Sequence, residues 1–196
     1  RFFPLLLAQR RIYTNKQFVN PDEQLPRFMP EHPVEPIADT LAPRLASLLT
    51  AKNQRRISVE SCTGGRVAAY LTSLPGSSDW FEGAFVTYRL SAKTRMVDVS
   101  EATLDRYGAV SEPTARAMAE GALRNSDADI SVAITGVAGP GGGDIVTPVG
   151  TVWFAWALRE PEIRCVQTLQ SHFAGDRESV RNQAVNLALR GVLAIY

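Results

Sequence analysis

The chain has 196 residues, an ordinary apolar fraction of 45% and nearly balanced charge, 21 Lys and Arg against 20 Asp and Glu, a composition that fits one globular domain plus an appendage. That balance gives no field to draw a nucleic acid or a membrane surface, and no apolar run is long enough to span a bilayer. Two cysteines, Cys62 and Cys165, and two histidines, His32 and His172, leave no disulfide framework and no multi-histidine metal site, and they point to a reducing, cytoplasmic compartment.

Residues 1–36 read as an N-terminal arm. Arg1 to Arg11 is basic and apolar with no acid before Asp22, a loose likeness to a targeting presequence. Pro21, Pro26, Pro30, Pro33 and Pro36 make residues 20–36 an extended connector. The arm is expected to pack on its own domain or on a neighbouring subunit; an appended, non-native segment is the competing reading.

From residue 37 the pattern is that of a folded domain. Ile37, Leu41, Leu45, Leu48 and Leu49 recur at helical spacing and predict a helix over 37–51, with Pro43 implying a kink or a later start. A strand over 56–60 follows, then a helix over 66–73. Pro75-Gly76-Ser77-Ser78 is a turn, and residues 81–88 hold a second strand. Ser91 is expected to cap a short helix carrying Lys93, and Ser100 to open another that ends near Gly108. Ser111-Glu112-Pro113 opens a longer helix to about Asn125. The apolar run Ile130, Val132, Ile134 marks a buried strand over 129–135. Two adjacent strands over 150–158 and 163–169 turn at Glu160-Pro161-Glu162, and Asp176 caps a last helix to about Ile195. Interleaved helices and strands with an antiparallel pair near the end predict a single three-layer α/β/α domain with a mixed sheet.

Four stretches carry chemistry. In Glu60-Ser61-Cys62-Thr63-Gly64-Gly65 a strand gives way to a helix. A hydroxyl there faces the open N–H groups of a helix start, and Gly64 and Gly65 permit close approach of another molecule. Ser61 is therefore either a nucleophile beside a built-in oxyanion hole or the N-cap of a tight turn. Cys62 is a weaker nucleophile candidate, because nothing nearby would generate its thiolate. With neither histidine in a motif-like context, a Ser-His-Asp triad is disfavoured. Tyr88 and Lys93, five residues apart across a strand-to-helix turn, are the available partners for Ser61, although each is equally readable as an ordinary packing or surface residue. The loop over 136–143 has five glycines in eight residues directly after a strand. It matches neither a dinucleotide fingerprint nor a P-loop, but its backbone N–H groups can meet a phosphate or carboxylate, with Thr135 and Gly136 the best-placed contacts. Arg177, in the first turn of the last helix, opposes the helix dipole and suits an anionic substrate group.

An ordered series of motifs then stands out: Glu60-Ser61-Cys62-Thr63-Gly64-Gly65, Pro75-Gly76-Ser77-Ser78, Phe81-Glu82-Gly83, Val86-Thr87-Tyr88 with Ala92-Lys93, Gly108-Ala109-Val110-Ser111-Glu112, Thr135-Gly136-Val137-Ala138-Gly139-Pro140, Pro148-Val149-Gly150-Thr151-Val152-Trp153 and Phe173-Ala174-Gly175-Asp176-Arg177. From about Ile37 to the C-terminus the chain resembles the C-terminal domain of the CinA (competence/damage-inducible) family, the nicotinamide-nucleotide amidohydrolases. The resemblance implies hydrolysis of the carboxamide of nicotinamide mononucleotide to nicotinic acid mononucleotide and ammonia, in pyridine-nucleotide salvage, without metal or other cofactor. It implies Ser61 as nucleophile, Lys93 as its base and Tyr88 as an orienting or proton-transfer group. Thr135, Gly136, Gly139 and Arg177 would contact substrate, and Thr63, Gly64 and Gly65 would supply backbone contacts, including the oxyanion donors. Such relatives are commonly oligomeric, so a homo-oligomer is expected. Arg89-Leu90-Ser91 stands where the family usually has Ser-Asn and an acid, with the register of Lys93 intact. A competing reading is a non-catalytic nucleotide-binding or regulatory module of the same family.

Overall fold

The computed structural model describes residues 41–195. The expected N-terminal arm, its proline-rich connector, His32 and the opening of the first predicted helix lie outside the described residues. Helix α1 spans Leu41–Lys52, strand β1 Arg56–Glu60, α2 Arg66–Thr72, β2 Phe81–Val86, α3 Leu90–Val97, α4 Glu101–Tyr107, α5 Glu112–Arg124, β3 Ile130–Gly136, β4 Thr151–Leu158, β5 Arg164–His172 and α6 Arg177–Ala194. The sheet order is β2-β1-β3-β4-β5. β1 runs parallel to β2 and β3, while β4 is antiparallel to both β3 and β5. The sheet is mixed, as the short link over residues 159–163 requires: five residues can only reverse a strand, since a parallel crossover needs a dozen or more.

Alternation along the strands sorts the core into two layers. Val132, Ile134, Val152, Phe154 and Trp156 pack with α1, α2 and α6 on one face. Ile57, Val59, Ala133, Ala155 and Ala157 pack with α3, α4 and α5 on the other. The side chains differ because the spacing does. On the α5 face the helix lies close to small alanines, and at Gly121 an added Cβ would sit 1.7 Å from the Val97 carbonyl oxygen, so α3 and α5 cross in near backbone contact. On the α6 face Trp156 fills the gap, fully buried, stacked on Phe154 at 5.8 Å and donating its indole N–H to the Ala188 carbonyl at 3.1 Å. Burying each such aromatic side chain contributes about 2–3 kcal/mol.

Helix starts follow the predicted chemistry in three cases. Ser100, Ser111 and Asp176 each accept the N–H three residues on, at 3.1, 3.4 and 2.8 Å. The fourth expectation fails: α3 begins at Leu90 with Arg89 as its extended N-cap and no side-chain cap, so Ser91 lies inside the first turn. The Arg89 carbonyl accepts the N–H groups of Ala92 and Lys93, which starts the helix two residues earlier than the serine implies. β5 also runs three residues further than expected, because its pairing with β4 continues to His172 opposite Thr151.

β1 is followed by α2 on one face of the sheet, and its neighbour β2 by α3 on the other. That divergence opens a crevice at the carboxyl ends of the parallel strands, the usual place for a ligand in such sheets.

Candidate active site

The chain leaves β1 at Glu60 and enters α2 at Arg66 through a turn that carries Ser61. Gly64 and Gly65 have φ of 61° and 91°, left-handed conformations that glycine adopts without steric penalty. The turn is pinned at both ends: Ser61 N–H donates to the Ile134 carbonyl at 2.9 Å, and Gly64 N–H to the Ser61 carbonyl at 3.1 Å. The start of α2 is occupied by the Glu60 carboxylate, which accepts the N–H groups of Gly65, Val67 and Ala68 at 3.0, 3.1 and 3.0 Å. Ser61 is therefore not the helix cap. Gly65 holds that position, and the Ser61 hydroxyl is left to the crevice.

Its partner is Lys93. Nζ of Lys93 donates to Ser61 Oγ at 2.9 Å and to the Thr87 carbonyl at 2.6 Å. Lys93 is 1% exposed and sits on the inward face of α3. Burial lowers its pKa from 10.5 to about 8, against a small opposing pull from Cys62, because an ammonium loses hydration that two neutral acceptors replace only in part. In the neutral amine one N–H can stay on the Thr87 carbonyl while the lone pair turns to the Ser61 proton. The same burial acts oppositely on Cys62, whose thiol is pushed up to about 11 despite its own backbone N–H and the nearby Lys93 and Arg181. Of the two adjacent candidates, the serine has the base and the cysteine is kept as thiol.

These groups open on a cavity of about 280 Å³. Tyr88, Thr135, Gly136, Gly139 and Arg177 also line it, so seven of the ten residues expected at the site converge there. The Thr135 hydroxyl donates to the Ala109 carbonyl at 2.7 Å and holds Ala109-Val110 as the opposite wall. Arg177 donates to the Gly139 carbonyl at 2.6 Å and to the Tyr88 hydroxyl at 3.1 Å. It thereby ties the glycine-rich loop to the β2–α3 turn across the rim, where Tyr88 is 59% exposed. Arg66 and Arg181 lie outside the cavity lining. Burial lowers the pKa of Arg181, helped by the charges of Arg66 and Arg177 and opposed by Glu178, which pairs with Arg66.

Thr63, Gly64 and Gly65 do not line the cavity. Thr63 is fully buried and its carbonyl accepts from Arg181 at 2.7 Å. Gly64 lies against Arg181, and Gly65 against Val86. They shape the turn, and the helix start behind it, which an anion would otherwise use, is filled by the Glu60 carboxylate. Arg89, Leu90 and Ser91 also lie outside the cavity lining. Sequence reasoning missed Glu60 and the Ala109-Val110 wall. An acid five residues ahead of the N-cap of a helix that follows a Gly-Gly turn is the signal that could have revealed the first. Among the described residues no three His, Cys, Asp or Glu side chains cluster as a metal site would need, and no helix is long and apolar enough to cross a membrane.

The family model of the CinA C-terminal domain matches residues 38–195. The chain belongs to this family. A CinA-like protein of Akkermansia muciniphila is 48% identical over 163 residues, covering 80% of this chain and 39% of that protein, so the chain spans well under half of its length. The nicotinamide-nucleotide amidohydrolase PncC of Escherichia coli K12 is 47% identical over 150 residues, 76% of this chain and 89% of that one. Among solved structures, the competence/damage inducible protein CihA of Agrobacterium tumefaciens superposes with a TM-score of 0.75 at 39% identity, over 79% of this chain and 93% of that one.

Proposed function

We propose that this chain is an amidase that hydrolyses the carboxamide of nicotinamide mononucleotide to nicotinic acid mononucleotide and ammonia, through an acyl-enzyme on Ser61. The observation that carries the reading is the buried contact of 2.9 Å between Lys93 Nζ and Ser61 Oγ, supported by similarity to a relative whose name states this activity.

Ser61 Oγ attacks the carboxamide carbon as its proton passes to neutral Lys93. The carbonyl π electrons move to oxygen, and the resulting oxyanion is met by backbone N–H groups of the turn after Ser61. Thr63 is the candidate donor there, since the Gly64 N–H is held by the Ser61 carbonyl. Lys93 then protonates the amide nitrogen, the C–N bond breaks, and ammonia leaves. Water attacks the ester carbon, gives its proton to Lys93, and Ser61 departs with that proton as the carboxylic acid forms. Arg177 and the N–H groups of the glycine-rich loop hold the phosphate, and Tyr88 orients the substrate from the rim. In this reading the protein is a cytoplasmic homo-oligomer acting on a small nucleotide in pyridine-nucleotide salvage.

Ammonia release from nicotinamide mononucleotide tests this directly. Wild type should turn over, and Ser61→Ala should lower kcat by about 10⁴-fold or more with the fold intact. Nucleotide binding by wild type without ammonia release would replace the reading with the non-catalytic module. Retained turnover in Ser61→Ala would move the nucleophile elsewhere.

A further inference from the structure

Glu60 is fully buried, immediately precedes the nucleophile, and takes no direct part in the steps above. Its placement differs from that of the other helix-capping side chains. α4, α5 and α6 are each capped by the residue just before the helix. α2 is capped from the end of β1, across the whole Ser61–Gly65 turn. The turn is thus suspended between two points that one residue fixes, the strand end and the helix start.

The other half of the pair is referenced to the same residue. The Glu60 carbonyl accepts the Thr87 N–H at 2.8 Å, and the Thr87 carbonyl accepts from Lys93 Nζ at 2.6 Å. The side chain of Glu60 sets Ser61, and its backbone sets the anchor of Lys93.

The geometry points to Glu60 as a positioning residue for the Ser61–Lys93 pair, with both carboxylate oxygens required. Oε1 accepts from the Ser58 hydroxyl and the Ala68 N–H, and Oε2 from the N–H groups of Gly65 and Val67. All four donate to the carboxylate, and three of them are backbone N–H groups that cannot accept. A glutamine offers one oxygen and one NH₂ group. On the Oε1 side the Ser58 hydroxyl can turn to accept but the amide still faces the Ala68 N–H, and on the Oε2 side it faces two N–H donors. In either orientation at least one N–H meets an amide hydrogen in a dry site. The turn then has to move, and a shift of about 1 Å in a reacting group lowers rate by about 100-fold. The substrate-lining residues Tyr88, Thr135, Gly139 and Arg177 make none of these contacts, so binding is spared.

This inference rests on Ser61 being the nucleophile, and its test does not depend on the substrate. Glu60→Gln, Ser58→Ala and the control Ser100→Ala, which uncaps α4 away from the cavity, are compared for thermal stability and for kcat and KM of ammonia release. The rate at which phenylmethanesulfonyl fluoride modifies Ser61, read by peptide mass spectrometry, is measured on each. Glu60→Gln should lower both kcat and the labelling rate about 100-fold, with KM within about threefold of wild type. Ser58→Ala, which keeps the carboxylate and removes one of its four donors, should lower both by about three- to tenfold. Ser100→Ala should lose stability and change neither rate. Wild-type labelling of Glu60→Gln, or a loss in kcat no larger than its fall in folded fraction, would overturn the inference. Should Glu60→Gln not fold, unchanged labelling of Ser58→Ala would overturn it. If wild type releases no ammonia while labelling of Ser61 still depends on Glu60, the substrate assignment fails and the positioning role stands.

Discussion

The parallel and antiparallel halves of the sheet divide the work. The carboxyl ends of β1, β2 and β3 deliver Ser61, the Thr87-Tyr88 turn and the Thr135–Gly142 loop to one crevice. β4 and β5 line none of it; β4 supplies Phe154 and Trp156 to the core. Their contribution to the site is one of direction. Because β5 runs opposite to β4, it ends on the same side as β3, and α6 therefore starts there with Arg177 at the rim. A parallel half gathers loops at one end and so builds chemistry. The antiparallel half buries β4, leaves β5 largely exposed, and returns the chain to the right end.

The sharpest way to break this division is at Lys93. Lys93→Met should lower kcat by about 10³-fold or more, since Ser61 loses its base. Its effect on the fold should be small. The folded-state pKa of about 8 lies below the ordinary 10.5, so the unfolded chain binds more protons between these values and stability rises with pH across that window. Below pH 8 the full penalty is present, on the order of 3 kcal/mol. Removing the amine relieves it while leaving the Thr87 carbonyl without its donor, so at pH 7 the melting temperature should stay near wild type. Relative to wild type, the variant should then lose ground toward pH 10.5. Calorimetry of both proteins from pH 7 to 10.5 checks the sign.

Trp156→Ala probes the other half. It should cost about 3–5 kcal/mol of stability by chemical denaturation, the range for emptying a buried aromatic site. The kcat of the folded fraction should stay within about twofold, because the indole packs on Phe154, Ala188 and Gly191, none of which lines the cavity. The smallest effect is graded by pH. If neutral Lys93 is the base, kcat/KM should rise about tenfold per pH unit up to about 8 and then level off. A flat profile through pH 8 would separate the reaction from this amine.

What the sequence displays and what it conceals follows from distance. The strand over 56–60, the caps at Ser100, Ser111 and Asp176, and the buried strand with Ile130, Val132 and Ile134 are local patterns, and each appears where its pattern indicates. Ser61 and Lys93 were legible as candidates through residue type and motif order, but their contact spans 32 positions and depends on how α3 is rotated. The contact of Arg177 with Tyr88 spans 89. The errors are local too. Ser91 looked like a cap because serine favours that role, and the Arg89 carbonyl overrode it. The helix start after Gly64-Gly65 reads as open to an anionic ligand because glycine permits close approach, and the group that occupies it is the chain's own Glu60.

Cys62 carries a practical consequence. With its thiol held near pKa 11, only about one molecule in 10⁴ presents a thiolate at neutral pH, while the adjacent hydroxyl has a base in contact. The usual ranking of sulfur over oxygen toward electrophiles is inverted across a single peptide bond. Alkylating agents selective for cysteine should pass over this pair, and warheads selective for activated serine should engage it. The site thereby offers a built-in chemoselectivity that a covalent inhibitor or an activity-based probe can exploit without first masking the neighbouring sulfur.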